Sequence, residues 1–174
     1  MRIGASMADT RTLHGLDDVL AKLKALPPEI ASKNGGPVKS ALRKGGVVIQ
    51  KQAQANIRRV TRDTEAAGYV STDVLAKAVV VRRDPNPRRS GASERYRVLV
   101  ARGRTYDGRL NKKGVPLTAI MTGRWLELGT EDQRAEPWLT PAYFTAREKA
   151  LATIVTELSK GIDRAIKKIS RGPR

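Results

Sequence analysis

Through GLDDVLAKLKALP, apolar residues recur at Leu16, Val19, Leu20, Leu23 and Leu26. Intervals of three and four put them on one face of a helix. Asp17 and Asp18 fall in its first turn, where a helix favours anions, and Pro27-Pro28 ends it. After the breaker NGG, Pro37 suits the first position of a second helix. One face of that helix runs through Val38, Leu42, Gly45, Ile49, Gln52, Ala53, Asn56 and Val60. Gly45-Gly46 weakens it by ~1 kcal/mol per glycine relative to alanine. Either the pair lets another backbone approach closely or it is a tolerated weakness; the pattern does not choose.

The period then changes from helical to alternating. TRDTEAAGYVSTD reads as a loop, and VLAKAVVVRR, with three consecutive valines, as a strand. DPNPRRSGAS is turn chemistry. In ERYRVLVAR, Tyr96, Val98 and Val100 alternate with Arg95, Arg97 and Leu99, which predicts a half-buried strand pairing with the valine strand in a long-looped hairpin. Residues 102–118 are basic and non-periodic, and are expected to be a flexible insertion. AIMTGRWLELG fits either a strand or a short helix. The last helix is the longest, with Thr140 as N-cap and Pro141 at the first helical position. Its apolar face is predicted through Phe144, Leu151, Ile154, Val155, Leu158, Ile162, Ala165, Ile166 and Ile169. This order predicts an α+β fold: a small antiparallel sheet flanked by helices, with a long C-terminal amphipathic helix. Residues 1–12 are expected to be disordered or an extension, 13–170 a single domain, and 171–174 a basic tail.

Composition narrows the chemistry. The 174-residue chain has no cysteine, which excludes disulfides and thiolate sites, and one histidine, His14. A histidine-based metal site or a Ser-His triad is therefore not expected within one chain. No apolar run approaches the ~20 residues of a membrane span, and the N-terminus lacks a signal peptide's apolar centre, so a cytosolic start and no membrane partner are expected. Met7 is a possible natural start.

The net charge of +17 changes the picture most, because such a field attracts polyanions. It is concentrated. Residues 82–113 hold eleven Arg or Lys against Asp84, Glu94 and Asp107, and residues 160–174 hold six against Asp163. Nucleic-acid binding is one reading, with Tyr96 and Tyr106 interleaved. A solvated face, or a loop ordering on a protein partner, is the other.

Motifs for catalysis are scarce. GGPVKSALRKGG lacks the spacing of a phosphate-binding loop. Glu127, Glu131, Asp132 and Glu136 cluster in sequence, but Arg124 and Arg134 lie among them, and ion pairing or solvation suits them as well as a metal does. No cofactor is implied.

One block is distinctive: RWLELGTEDQRAEPWLTPA, residues 124–142, with both tryptophans of the chain. Trp125, Glu127, Leu128, Gly129 and Thr130, followed by Ala135, Pro137, Trp138, Leu139, Pro141 and Ala142, resemble the tail-completion, or head–tail joining, family of long-tailed bacteriophages and prophages. Ser71, Thr72 and Leu75 carry a weaker part of the likeness; Thr72 is followed by Asp73-Val74 where the family usually shows Thr-Gly. The resemblance implies a tail-terminator-like fold and a non-enzymatic virion protein of the neck, made in the host cytoplasm. Such a protein assembles as a ring, commonly a hexamer, between portal complex and tail tube. Its implied partners are further copies of itself, neighbouring neck proteins, the tail tube protein and, in the channel, genomic DNA. A basic DNA-binding protein is the alternative. Candidate contacts to a channel or partner ring are Arg102, Arg104, Arg109, Lys112, Lys113, Lys167 and Lys168. Within the block, Trp125 and Leu128 are expected in the core, Gly129 in a turn, Trp138 as an apolar anchor, and the acids as loop charges facing a basic neighbour.

Overall fold

The computed structural model describes residues 36–65, 73–111 and 113–170. The first predicted helix, His14, the extension, the Ser71-Thr72 pair and the basic tail lie outside the described residues. The chain is α+β. Helix α1 spans Pro37–Glu65 and the one-turn helix α2 Val74–Ala78. Strands β1 (Val79–Arg83) and β2 (Tyr96–Val100) follow, then β3 (Thr105–Leu110) and β4 (Pro116–Thr118). Helices α3 (Ala119–Leu128) and α4 (Leu139–Ser170) complete the order.

Helices α1 and α4 pair antiparallel along nearly their whole length. Gly161 meets Pro37, Gly45 meets Ala150 and Ile154, and Asn56 reaches the Trp138 carbonyl. The seam is lined by small residues: Ala41 and Ala53 on α1, Ala142, Ala146 and Ala150 on α4, all buried. A β-carbon at Gly161 would lie 2.7 Å from the Pro37 β-carbon, and one at Gly45 would lie 3.1 Å from the Ala150 carbonyl oxygen. The first distance is shorter than real β-carbons reach and the second is tighter than most of their contacts, so the two glycines permit the approach. The glycine pair is thus a close-contact device. Gly46 faces the other way and receives Val81 of β1.

The predicted β1–β2 hairpin is present and antiparallel, with Val79 opposite Val100 and Arg83 opposite Tyr96. It lies against α1, whose Gln50 donates to the Val79 carbonyl at 2.7 Å and whose Gln54 donates to the Ala76 carbonyl at 3.1 Å. The core gathers here: Ala53, Ile57, Leu75, Ala78, Val79, Ala119, Trp138 and Ala142. A second cluster, Ala41, Leu158 and Ile162, holds the far end of the helix pair.

Three expectations are corrected, and one left open between strand and helix is resolved. Residues 74–78 form a helical turn, because the β-branched run begins only at Val79; Leu75, Ala76 and Ala78 are buried by that turn. AIMTGRWLEL is a helix, started by Thr118, whose side chain accepts from the Met121 N–H. Residues 102–118 are not a loose insertion but a second hairpin, β3–β4, with a bulge between its strands. Its tip is tied by Asn111, whose side chain accepts from the Lys113 and Val115 N–H groups. The buried face of α4 runs through Ala142, Ala146, Ala150, Leu158 and Ile162, whereas Phe144 and Ile166 are exposed. The alanines escape the sequence pattern because their small apolar area hides the stripe.

Gly45→Val would wedge the helix seam. The expected cost is about 1–3 kcal/mol, the range for overpacking a closed core, read as a lower Tm in thermal denaturation. An unchanged Tm would show that the seam is not tight.

Candidate functional site

Three elements converge on residues 123–142. Helix α3 ends at Gly129, whose φ of 76° is costly for any residue with a β-carbon. A β-carbon there would also sit 3.0 Å from the Ala135 nitrogen and the Gln133 oxygen. The chain then folds back: the Thr130 N–H donates to Gln133 at 2.8 Å and the Glu136 N–H to Leu126 at 2.7 Å.

Glu127 is the centre of this joint. Its carboxylate accepts from the N–H groups of Trp138 and Leu139, each at 2.8 Å, and of Thr140 at 2.9 Å. Pro141 comes next and has no N–H to satisfy. The opening donors of α4, unpaired in any isolated helix, are thus met by one acid placed at the positive end of the dipole. Thr140 is not the N-cap: α4 starts at Leu139 and takes its cap from the preceding helix. Burial pushes the Glu127 carboxyl up, but hydrogen bonds from the Thr140 side chain and the three N–H groups outweigh it and hold it below the ordinary carboxylate range.

Trp138 is the pin, 2% exposed. Its indole N–H donates to the Gly123 carbonyl at 2.8 Å, and its carbonyl accepts from Asn56 of α1 at 3.0 Å. Trp125 is half-buried, while Leu128 is 67% exposed, against expectation; Leu126 packs on the core in its place. The register of α3 decides this. Thr130 and Pro137 are exposed and Pro141 is half-buried in the first turn of α4. Glu131, Asp132 and Glu136 remain on the surface, and no group of three or more acids or histidines able to hold a metal occurs among the described residues. Glu127 alone of the four acids is part-buried, with its carboxylate bonded to the start of α4.

The candidate cations fall in two places. Arg102, Arg104, Arg109 and Lys113 are exposed on the β3–β4 ribbon, which is tethered to α3 through Tyr106 and Thr122, 2.8 Å apart. Lys167 is exposed near the far end of α4, roughly 40 Å from the joint at 1.5 Å per residue. Lys112 and the Lys168 side chain lie outside the described residues. Part of the sequence's basic run is used internally: Arg83 grips Glu94 with bonds of 2.8 and 2.7 Å, and Arg95 and Arg97 flank buried Asp84 at 3.7 and 3.5 Å.

Protein-family models, curated proteins and solved structures offer no match to this chain. Among the described residues no helix is long and apolar enough to cross a membrane.

Glu127→Ala should cost about 1–2 kcal/mol, the scale of a lost N-cap, in chemical denaturation. The pH dependence has a defined sign. A carboxyl held below its unfolded value, about 4.3, stabilises the fold fully above that value, and its contribution is lost as pH falls through the folded one. Glu127→Gln should therefore flatten the acid limb of the stability curve, leaving the share of Glu94 and Glu157, which are also lowered, by Arg83 and Lys44 respectively. An unaltered acid limb would remove Glu127 from the capping role.

Proposed function

We propose that this chain is a non-enzymatic neck protein of a long-tailed phage, a tail-completion or head–tail joining protein with a tail-terminator-like fold. It works by assembling with its own copies into a ring, a hexamer in this reading, between portal complex and tail tube. The observation that carries the reading is the use of the distinctive block. Glu127 is engaged by three backbone donors, Trp138 by Gly123 and Asn56, and Gly129 by its own turn. A motif whose polar groups are committed to internal bonds suits a shaped assembly part better than an acid or base awaiting substrate.

A second feature supports assembly. Leu128, Tyr143 and Phe144 are 67, 51 and 60% exposed around the joint. Leu110 and Val115 of the ribbon are exposed as well. Exposed apolar groups with a charged surround suit contact with another protein surface.

Two measurements test this. Deleting the gene from its phage or prophage should leave filled heads and finished tails unjoined, and joined infectious particles from the deletion would sink the reading. Leu128→Asp with Phe144→Asp should change stability little, because both sites are exposed, yet abolish the ring in native mass spectrometry or prevent incorporation into virions. Normal assembly by that variant would discard this face as the contact.

A further inference from the structure

Helix α4 carries a second apolar line beside its small-residue seam. On the seam, Ala150, Ile154 and Gly161 meet α1 at Gly45 and Pro37, and Ala165 packs on the cluster of Ala41, Leu158 and Ile162. Each of the four is followed by a large apolar residue: Leu151, Val155, Ile162 and Ile166. One step along a helix is a turn of about 100°, so these residues form a flank rotated away from the contact with α1. Their own spacing of four, seven and four keeps them on one face. Ile162, at the border with the seam, is buried; Leu151 and Val155 are half-buried, and Ile166 is 45% exposed. Among the described elements α1 is the one packed along α4. Past Gly161, α4 runs on to Ser170 beyond the start of α1.

The chain itself holds a matching element. Leu16, Val19, Leu20, Leu23 and Leu26 make the one-sided pattern of a short helix ended by Pro27-Pro28. These residues lie outside the described ones, but the point where their chain enters the described structure is fixed. Pro37, the first residue of α1, packs on Gly161, the neighbour of Ile162. Residues 27–36 join the two and span at most ~36 Å when extended. The flank measures ~22 Å from Leu151 to Ile166, and residues 16–26 as a helix would measure ~16 Å. The tether therefore reaches every point of the flank, and the segment fits within its length. An amphipathic helix this short is not stable alone in water and needs an apolar face to lie on.

From this match we infer that residues 16–26 dock in cis along the Leu151–Ile166 flank of α4, as a third helix beside the α1–α4 pair. A short tether gives an effective concentration in the millimolar range, so the chain's own segment takes the flank ahead of the same segment from a second copy. With the flank covered, the exposed apolar residues at the joint and on the ribbon are what remain for contact with other proteins. Such docking needs neither a ring nor a second protein.

The chain has no native cysteine, so two introduced ones can report on the contact. Lys22→Cys and Asp163→Cys, at polar positions outside the two apolar lines, carry nitroxide labels. The distance between them is measured by double electron–electron resonance in the full-length protein, with and without an excess of unlabelled chain. The parent should give a single narrow distribution, unchanged by dilution. Leu20→Asp with Leu23→Asp, and separately Leu151→Asp with Ile166→Asp, should broaden it, whereas Leu110→Asp on the ribbon should leave it unaltered. Circular dichroism confirms the fold of each variant; if the flank pair lowers the helix content, Ile166→Asp alone, at an exposed site, takes its place. A broad distribution in the parent would overturn the docking. A narrow one that survives the flank substitutions would put the segment elsewhere and overturn the flank as its seat. A distance lost on dilution with unlabelled chain would make a second copy the occupant and overturn docking in cis.

Discussion

Everything in this molecule is hung on the close antiparallel approach of α1 and α4. The approach is possible because its contact line is made of alanine and glycine, with Ala41, Gly45 and Ala53 on one side and Ala142, Ala146, Ala150 and Gly161 on the other. Small side chains bury little area each, so the seam gains less from apolar transfer than a leucine interface would. What it gains is proximity, with many atoms in contact at short range. It also sets the position of both ends. At one end Asn56 holds Trp138, and at the other Pro37 sits on Gly161.

The joint between α3 and α4 shows how polar groups are disposed when a chain must turn sharply beside a core. Glu127 caps a helix that begins about a dozen residues later in the chain, its first donor being eleven residues on, and the indole of Trp138 returns to the helix that carries Glu127. The two bonds are reciprocal: α3 supplies an acceptor to α4, and the residue that leads into α4 inserts an apolar pin at Gly123, where a β-carbon would lie 3.3 Å from the ring. No buried side-chain nitrogen or oxygen is left without a partner among the described residues. Such a unit fixes the position of α4 against α3.

Around this frame the surface divides by character. Exposed apolar side chains collect near the joint and the ribbon, while cations collect both on the ribbon and at the opposite end of the helix pair. The pairings Arg83–Glu94 and Lys44–Glu157 show why a charge count is a poor guide to an available surface. They consume acids as well as bases, and what faces solvent depends on which residues are left over.

Where a signal is local, the sequence by itself determined the outcome. Pro37 opens a helix, the valine run pairs with the alternating strand as a hairpin, and the terminal helix is continuous. The α+β class follows from that order, and the Trp-x-Glu-x-Gly-Thr block is visible as a structural joint. Only the tertiary structure decided the rest. Neither the ribbon at 105–118 nor the helical turn at 74–78 has a clear period. The core face of α4 is only partly legible, because alanine packs by closeness rather than by size. Leu126 faces the core and Leu128 solvent because two positions in a ten-residue helix rotate a side chain by about 200°. Glu127 looks like a loop charge because its partners lie in the next helix, and a cap donated from outside its own helix leaves no spacing rule to find.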